Sequence, residues 1–505
     1  MSLRQKLAYG LRGKSMTTSS FRAIGLLYFG PLAGVAIAIF LWVTSQHSPY
    51  AVLDDYRMVA AVKDMRTFII EGHSETELNT GRFVPALLFD LVWTGVRSIN
   101  DLWYVRVLGL LLVAGSVVLY QIWFMGYAKI TSPMAKMSIA ISSFIVVLLP
   151  TVSATTTWAQ KTTQLLALPL AMLAGILATS TQVRICRWVA ISILILLSAF
   201  SYQHFVTIAV FPLAVAMGIR RSGSLRPEVG RMTVVLGLVF GSLITNVLVV
   251  RLIAADVLDR VSQIPLRTRI AEAFEVLAKG AHLFIDKNVL LLGLSASLII
   301  GVTATALFNN KRTVSVLVGV IFGVGASVAV TLAGDGDSSY RMTFPTQITL
   351  WMGLGSFVSY SIQQSAARLW KLLSLSFLTL ISLVLVVENR NTVGNRISEA
   401  NADDWANINC HLLSLEPNPS LEEIVVRLSP VLVSGNASVA SEVGLLASHV
   451  EWIVRDQYKL TIKSDQRLNH LESVMFTVVN YDQDFPTQTA KVATVDLRSV
   501  CDGVE

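Results

Sequence analysis

The sequence predicts an α-helical polytopic membrane protein of about eleven transmembrane helices, followed by a small C-terminal α/β soluble domain. Three observations carry this. Of 505 residues, 53% are hydrophobic and only 14% charged, against roughly 25% charged in soluble domains. Apolar runs near the roughly 20 residues that cross a bilayer recur along most of the chain. From Glu388 onward they give way to ordinary mixed sequence.

The first apolar run, Phe21–Thr44, is longer than a signal-peptide core and lacks a small-x-small site after it, so it reads as an anchor. Residues 1–20 precede it. Arg4, Lys6, Arg12, Lys14 and Arg22 lie before or at its start without an acid, which predicts a cytoplasmic N-terminus. A long external loop, 45–101, follows. Its piece Phe83–Val96 is short for a span, carries Asp90, and reads as interfacial or re-entrant.

Further spans are expected at Leu102–Met125, Met137–Pro150 and Thr163–Thr179. The stretch Trp188–Ile219 fits one long helix or two short crossings turning at Tyr202–Gln203. Arg184 and Arg187 before it, and Arg220, Arg221, Arg226 and Arg231 after it, favour two. The remaining spans are Met232–Ile253, Val289–Phe308, Thr313–Leu332, Phe344–Ser361 and Leu372–Val387. This gives a transmembrane domain over 21–387 and an extracytoplasmic domain over 388–505.

Within the latter, Ala402–Leu415 and the amphipathic Leu421–Leu432 read as helices. Lys459–Ile462, Val474–Val479 and Val492–Leu497 read as strands. Cys410 and Cys501 both fall there and can pair in an oxidising compartment, whereas Cys186 lies at the cytoplasmic face.

The net charge of +7 resides in short loops, as topology signals do, so no nucleic-acid role is expected. No phosphate loop ending in Lys-Ser/Thr suggests an ATP-driven pump, and no His/Cys cluster suggests zinc. Charge is nearly absent from the span centres, with Arg106 near one helix end, which disfavours a transporter. Polar residues gather instead at the outer rim: Asp54, Asp55 and Arg57, then Gly81-Arg82, Trp158 and Lys161, Tyr202-Gln203-His204, Arg267 and Arg269, and Gly334-Asp335-Gly336-Asp337 to Tyr340-Arg341. Carboxylates beside arginines at headgroup level suit a phosphate-bearing lipid, since arginine forks grip phosphate oxygens and a carboxylate can deprotonate a sugar hydroxyl. An acidic pair such as Asp54-Asp55 is also what any solvated loop end carries.

On the acidic pair after the first helix, Gly81-Arg82 opening an apolar segment, Ser201-Tyr202-Gln203 at a helix end and Tyr340-Arg341 before a late span, the sequence resembles the GT-C class of membrane glycosyltransferases. Within that class it is most similar to the Gtr-type glucosyltransferases that decorate O-antigen. The resemblance in layout runs from about Phe21 to Val387. It implies a polyprenyl-phosphate sugar donor, a polysaccharide acceptor, contact with membrane lipid and residence in the bacterial inner membrane. It further implies an inverting transfer with Asp54 or Asp55 as base, Arg57, Arg82 and Arg341 on the lipid phosphate, and Tyr202, Gln203 and Tyr340 lining the site. No cofactor or obligatory metal is expected. A lipid-linked-sugar flippase and an O-antigen polymerase or ligase are the alternatives.

Overall fold

The computed structural model describes residues 18–46, 55, 77–78, 80–93, 95–96, 98–180, 184–219, 226–253, 266–281, 311–333, 340–365, 367–415, 418–427, 466–471, 473–479, 489, 491–496 and 501. The expected span Val289–Phe308 and the expected strand Lys459–Ile462 lie outside them. So do Asp54, Arg57 and Asp335–Asp337.

Most of the described chain is helical. In order, the helices are α1 (Thr18–Thr44), α2 (Phe83–Trp93), α3 (Leu102–Ala128), α4 (Pro133–Val147), α5 (Pro150–Thr157), α6 (Ala167–Ala178), α7 (Ile185–Ser201), α8 (Val210–Ile219), α9 (Arg226–Ile253), α10 (Leu266–Ala281), α11 (Lys311–Ala333), α12 (Tyr340–Gln364) and α13 (Arg368–Asn389). Two 3₁₀ segments, Ala159–Leu166 and Gln203–Ala209, lead into α6 and α8. Among the described residues, four helical stretches are long and apolar enough to cross a membrane: Ile99–Ala128, Ala159–Ala178, Pro227–Ile253 and Arg368–Asn395. The pair α4 and α5, bent by 46°, makes a fifth if it is one span.

Proline explains that bend. Pro150 has no N–H to donate back and disfavours helical dihedrals before it, so Leu149 is extended and α4 ends at Val147. The chain also reverses about Tyr202. Ser198 Oγ donates to the Ala167 carbonyl at 2.9 Å, whereas a Cβ on Gly175 would meet Pro212 Cδ at 2.9 Å. α7 therefore runs back along α6 to its start, and the chain from Ser198 to Pro212 then follows α6 in its own direction, so Trp188–Ile219 forms two segments.

Beyond Val387 the helix does not stop. Glu388 and Asn389 are buried, a π-helical stretch Arg390–Glu399 continues the run, and α14 (Ala400–Leu413) follows it. After that come β1 (Glu423–Arg427), β2 (Met475–Val479) and β3 (Val492–Asp496), a parallel sheet in the order β2-β1-β3. The expected helix over Leu421–Leu432 is thus a strand at Glu423–Arg427, and residues 428–432 lie outside the described residues. β1 is the central strand, with four successive buried residues, and a strand covered on both faces shows the same short apolar run as a buried helix. Ile408, Leu412, Ile424, Val426, Leu471 and Val495 belong to an apolar cluster separate from that of the helix bundle. Cys410 and Cys501 are joined in a disulfide with Cα atoms 6.0 Å apart, tying residue 501 to α14.

Candidate functional site

The site is built around a break in the chain. α5 ends at Thr157, Trp158 is extended, and a polar 3₁₀ segment, Ala159–Leu166, starts at once. Such a break orphans carbonyls of the outgoing helix and N–H groups of the incoming one. Both ends are capped by an ion pair. Arg106 Nε donates to the Thr157 carbonyl at 2.7 Å, and Arg106 Nη2 to Asp55 Oδ2 at 3.2 Å. Asp55 in turn accepts the Ala159 N–H at 3.3 Å and the Gln160 N–H at 3.0 Å. The cation thus meets a helix C-terminus and the anion an N-terminus, as the helix dipoles favour. The pair is fully enclosed, with Asp55 0% and Arg106 3% exposed.

The sequence places Arg106 near a helix end but names no partner for it, 51 residues from Asp55. Buried charge is therefore more prominent here than the apolar span centres suggest. Lys161 is also buried, its ammonium 4.3 Å from the Trp158 ring centroid, a cation–π contact.

A second node lies farther along the same 3₁₀ segment. Gly81 N–H donates to the Leu78 carbonyl at 2.9 Å and Arg82 N–H to the Glu77 carbonyl at 2.8 Å. With Gly81 at φ 77° this is a Schellman ending, which needs a left-handed residue. Space also demands glycine there, because a Cβ would lie 2.8 Å from Val250 Cγ2 and closer still to the Asn246 amide. The turn brings Arg82 back over Glu77, with Nη1 3.4 Å from Oε2. Gln164 Nε2 donates to the other Glu77 oxygen at 2.8 Å.

Three elements clamp this turn. Besides Gln164, Gln203 Nε2 donates to the Thr80 carbonyl at 2.9 Å and to Asn246 Oδ1 at 3.1 Å. Asn246 Nδ2, on α9, donates to the Gly81 carbonyl at 2.6 Å. The Arg82 guanidinium stands 5.2 Å from the Tyr202 ring centroid.

Of the residues picked from the sequence, Arg82, Tyr202 and Gln203 come together in this second node, and Asp55 forms the first. Tyr340 and Arg341 open α12, their side chains lying outside the described set. Phe344, one turn on, stacks edge-on against Phe205 with centroids 5.0 Å apart, so this end of α12 is the one beside Tyr202. Arg267 is exposed and Arg269 half-buried on α10. Glu77, Gln164 and Asn246 escaped the sequence reading, and Arg106 stood there only as a charge near a helix end. The one signal that points this way is the polar run Gln160–Gln164, opening an otherwise apolar span.

No protein-family model matches the chain, and no curated protein matches it. Three chains of solved structures do. One is ArnT from Cupriavidus metallidurans, in a crystal structure bound to undecaprenyl phosphate, 11% identical, covering 88% of this chain and 89% of that one with a TM-score of 0.41.

Proposed function

We propose that this chain is a membrane glycosyltransferase of the GT-C kind, moving a hexose such as glucose from a polyprenyl-phosphate donor to a surface polysaccharide such as O-antigen. The reaction would take place on the outer side of the bacterial inner membrane. The supporting observation is the clustering of two acid–arginine pairs, Asp55–Arg106 and Glu77–Arg82, on one 3₁₀ segment among apolar helices. Ionisable groups in such surroundings are costly and mark function more often than packing.

In the proposed inverting reaction an acceptor hydroxyl oxygen attacks the anomeric carbon. The bond from that carbon to the lipid-phosphate oxygen breaks, the electron pair leaves on the phosphate, and the hydroxyl proton passes to a carboxylate. Asp55 already accepts three hydrogen bonds from Arg106, Ala159 and Gln160, out of about four acceptor positions on a carboxylate. That suits a positioning role and assigns the base to its neighbour Asp54. Arg82, with Arg57 and Arg341, takes the charge growing on the phosphate, and Tyr202, Gln203 and Tyr340 line the approach. With arginines supplying the positive charge, the reaction requires no metal.

The test is transfer of labelled glucose from polyprenyl-phosphate glucose to purified polysaccharide by the protein in nanodiscs. Asp54→Asn should lower the rate by about 100-fold or more, the usual scale of a lost general base, with unchanged membrane insertion. Full activity in that variant would overturn the assignment of the base, and a wild-type protein that transfers no sugar would overturn the function.

A further inference from the structure

We infer that Glu77 is a positioning residue that fixes the Arg82 guanidinium for a lipid phosphate, an inference that rests on the function proposed above. Glu77 is 2% exposed, so it cannot itself meet a substrate, whereas the Arg82 side chain keeps 18% exposure. The carboxylate is oriented by Gln164 on one oxygen and faces Arg82 with the other. Arg82 is thereby held at its edge by Glu77 and across its face by Tyr202. Its Nε is buried and has no hydrogen-bond partner among the described residues, so the exposed part of the guanidinium is at its Nη end. An arginine side chain has five N–H donors and a large rotamer freedom. Fixing one donor on an inaccessible acid removes much of that freedom and leaves the others for an incoming acceptor.

The backbone supports the same conclusion. The Schellman turn at Gly81 fixes the separation of Glu77 and Arg82, and Gln203 and Asn246 hold the turn from two further helical segments. A surface ion pair would not need such scaffolding.

The experiment is a double-mutant cycle read by binding, without turnover. A polyprenyl phosphate is titrated into phosphatidylcholine nanodiscs carrying the full chain, with the corresponding polyprenol as the phosphate-free control. Glu77→Gln should weaken phosphate binding by about tenfold, within the usual coupling of contacting charged neighbours. In an Arg82→Gln background the same change should cost less than about twofold. If Glu77→Gln does not insert, Gln164→Leu replaces it and should give a smaller loss that likewise vanishes without Arg82.

Equal losses in both backgrounds would overturn the positioning role while leaving the proposed function standing. So would tighter binding by Glu77→Gln, which would make the acid a competitor of the phosphate. A wild-type protein that treats the phosphate and the polyprenol alike would overturn both.

Discussion

The two ends of the helix bundle are held together by different chemistry. At the end where α3 begins, the contacts are ionic: Asp55 with Arg106 and Glu77 with Arg82, each reinforced by backbone or amide partners. Toward the other end of α3 an ion pair recurs on α9, Arg231 with Glu228, where Arg231 Nη1 also donates to the Thr179 and Ser180 carbonyls. The contacts of α3 and α4 with their neighbours, however, are neutral there. Tyr120 OH bonds Ser356 Oγ at 2.8 Å, Ser138 Oγ bonds Ser359 Oγ at 2.7 Å, and Trp123 Nε1 donates to Thr179 Oγ1 at 3.1 Å. Helices also approach closely through small residues there and nearby, as where Gly319 and Gly323 of α11 face α8. Between helices in lipid, close packing and hydroxyl bonds suffice for assembly. An enclosed ion pair adds little net stability, although breaking it is costly, so the charged end points to a task beyond assembly.

The largest expected effect breaks the charged end. Arg106→Met leaves the enclosed Asp55 carboxylate and the Thr157 carbonyl without their cation. Removing one partner of a buried pair costs about 3–5 kcal/mol. Thermal unfolding in detergent, followed by the loss of the monodisperse peak, should show a large drop in midpoint. A variant as stable as the wild type would mean that Asp55 finds its charge balance elsewhere, and the contrast between the two ends would collapse.

A middle-sized effect probes packing. A Cβ on Gly319 would strike the Ala214 carbonyl, which is backbone and cannot swing aside. Gly319→Val should therefore force α8 and α11 apart at a cost of about 1–3 kcal/mol. The phosphate binding proposed for Arg82 should stay unchanged. Loss of binding equal to that of an Arg82 variant would mean that the two ends are coupled rather than separate.

How far the sequence foretold these two ends differs as well. The reversal at Tyr202 was legible because loop arginines on both sides restrict the crossing number. Gly81 and Arg82 stood out as a pair, yet the left-handed turn that makes them one was not visible without Glu77. Arg106, Gln164 and Asn246 were illegible for a common reason. Arg106 and Asn246 look like isolated polar residues in apolar helices and Gln164 like the end of a polar run, and their partners lie 51, 165 and 87 residues away. In the sequence, Trp158 and Lys161 read as outer-rim residues and Thr163 as the start of a span, because local periodicity carries no information about enclosure by other helices. The strand β1 reads as a helix on similar grounds, since what marks it is its place between β2 and β3 and the burial of four successive side chains.

The smallest expected effect bears most directly on why the charged end exists. Ser359→Ala removes one hydroxyl of the Ser138–Ser359 pair, and interhelical hydrogen bonds of this kind average about 0.6 kcal/mol. Ser359 Oγ donates to the Gly355 carbonyl at 2.7 Å, so Ser138 is the donor of the pair and the variant removes one neutral acceptor. The unfolding midpoint should move by less than the scatter among Arg106 variants, and sugar transfer should be unaffected. Were Ser359→Ala instead to cost as much as Arg106→Met, a single neutral contact would carry as much stability as an enclosed ion pair, and the contrast between the two ends would no longer rest on stability. It would then rest on sugar transfer alone, which Arg106→Met should lower and Ser359→Ala should not.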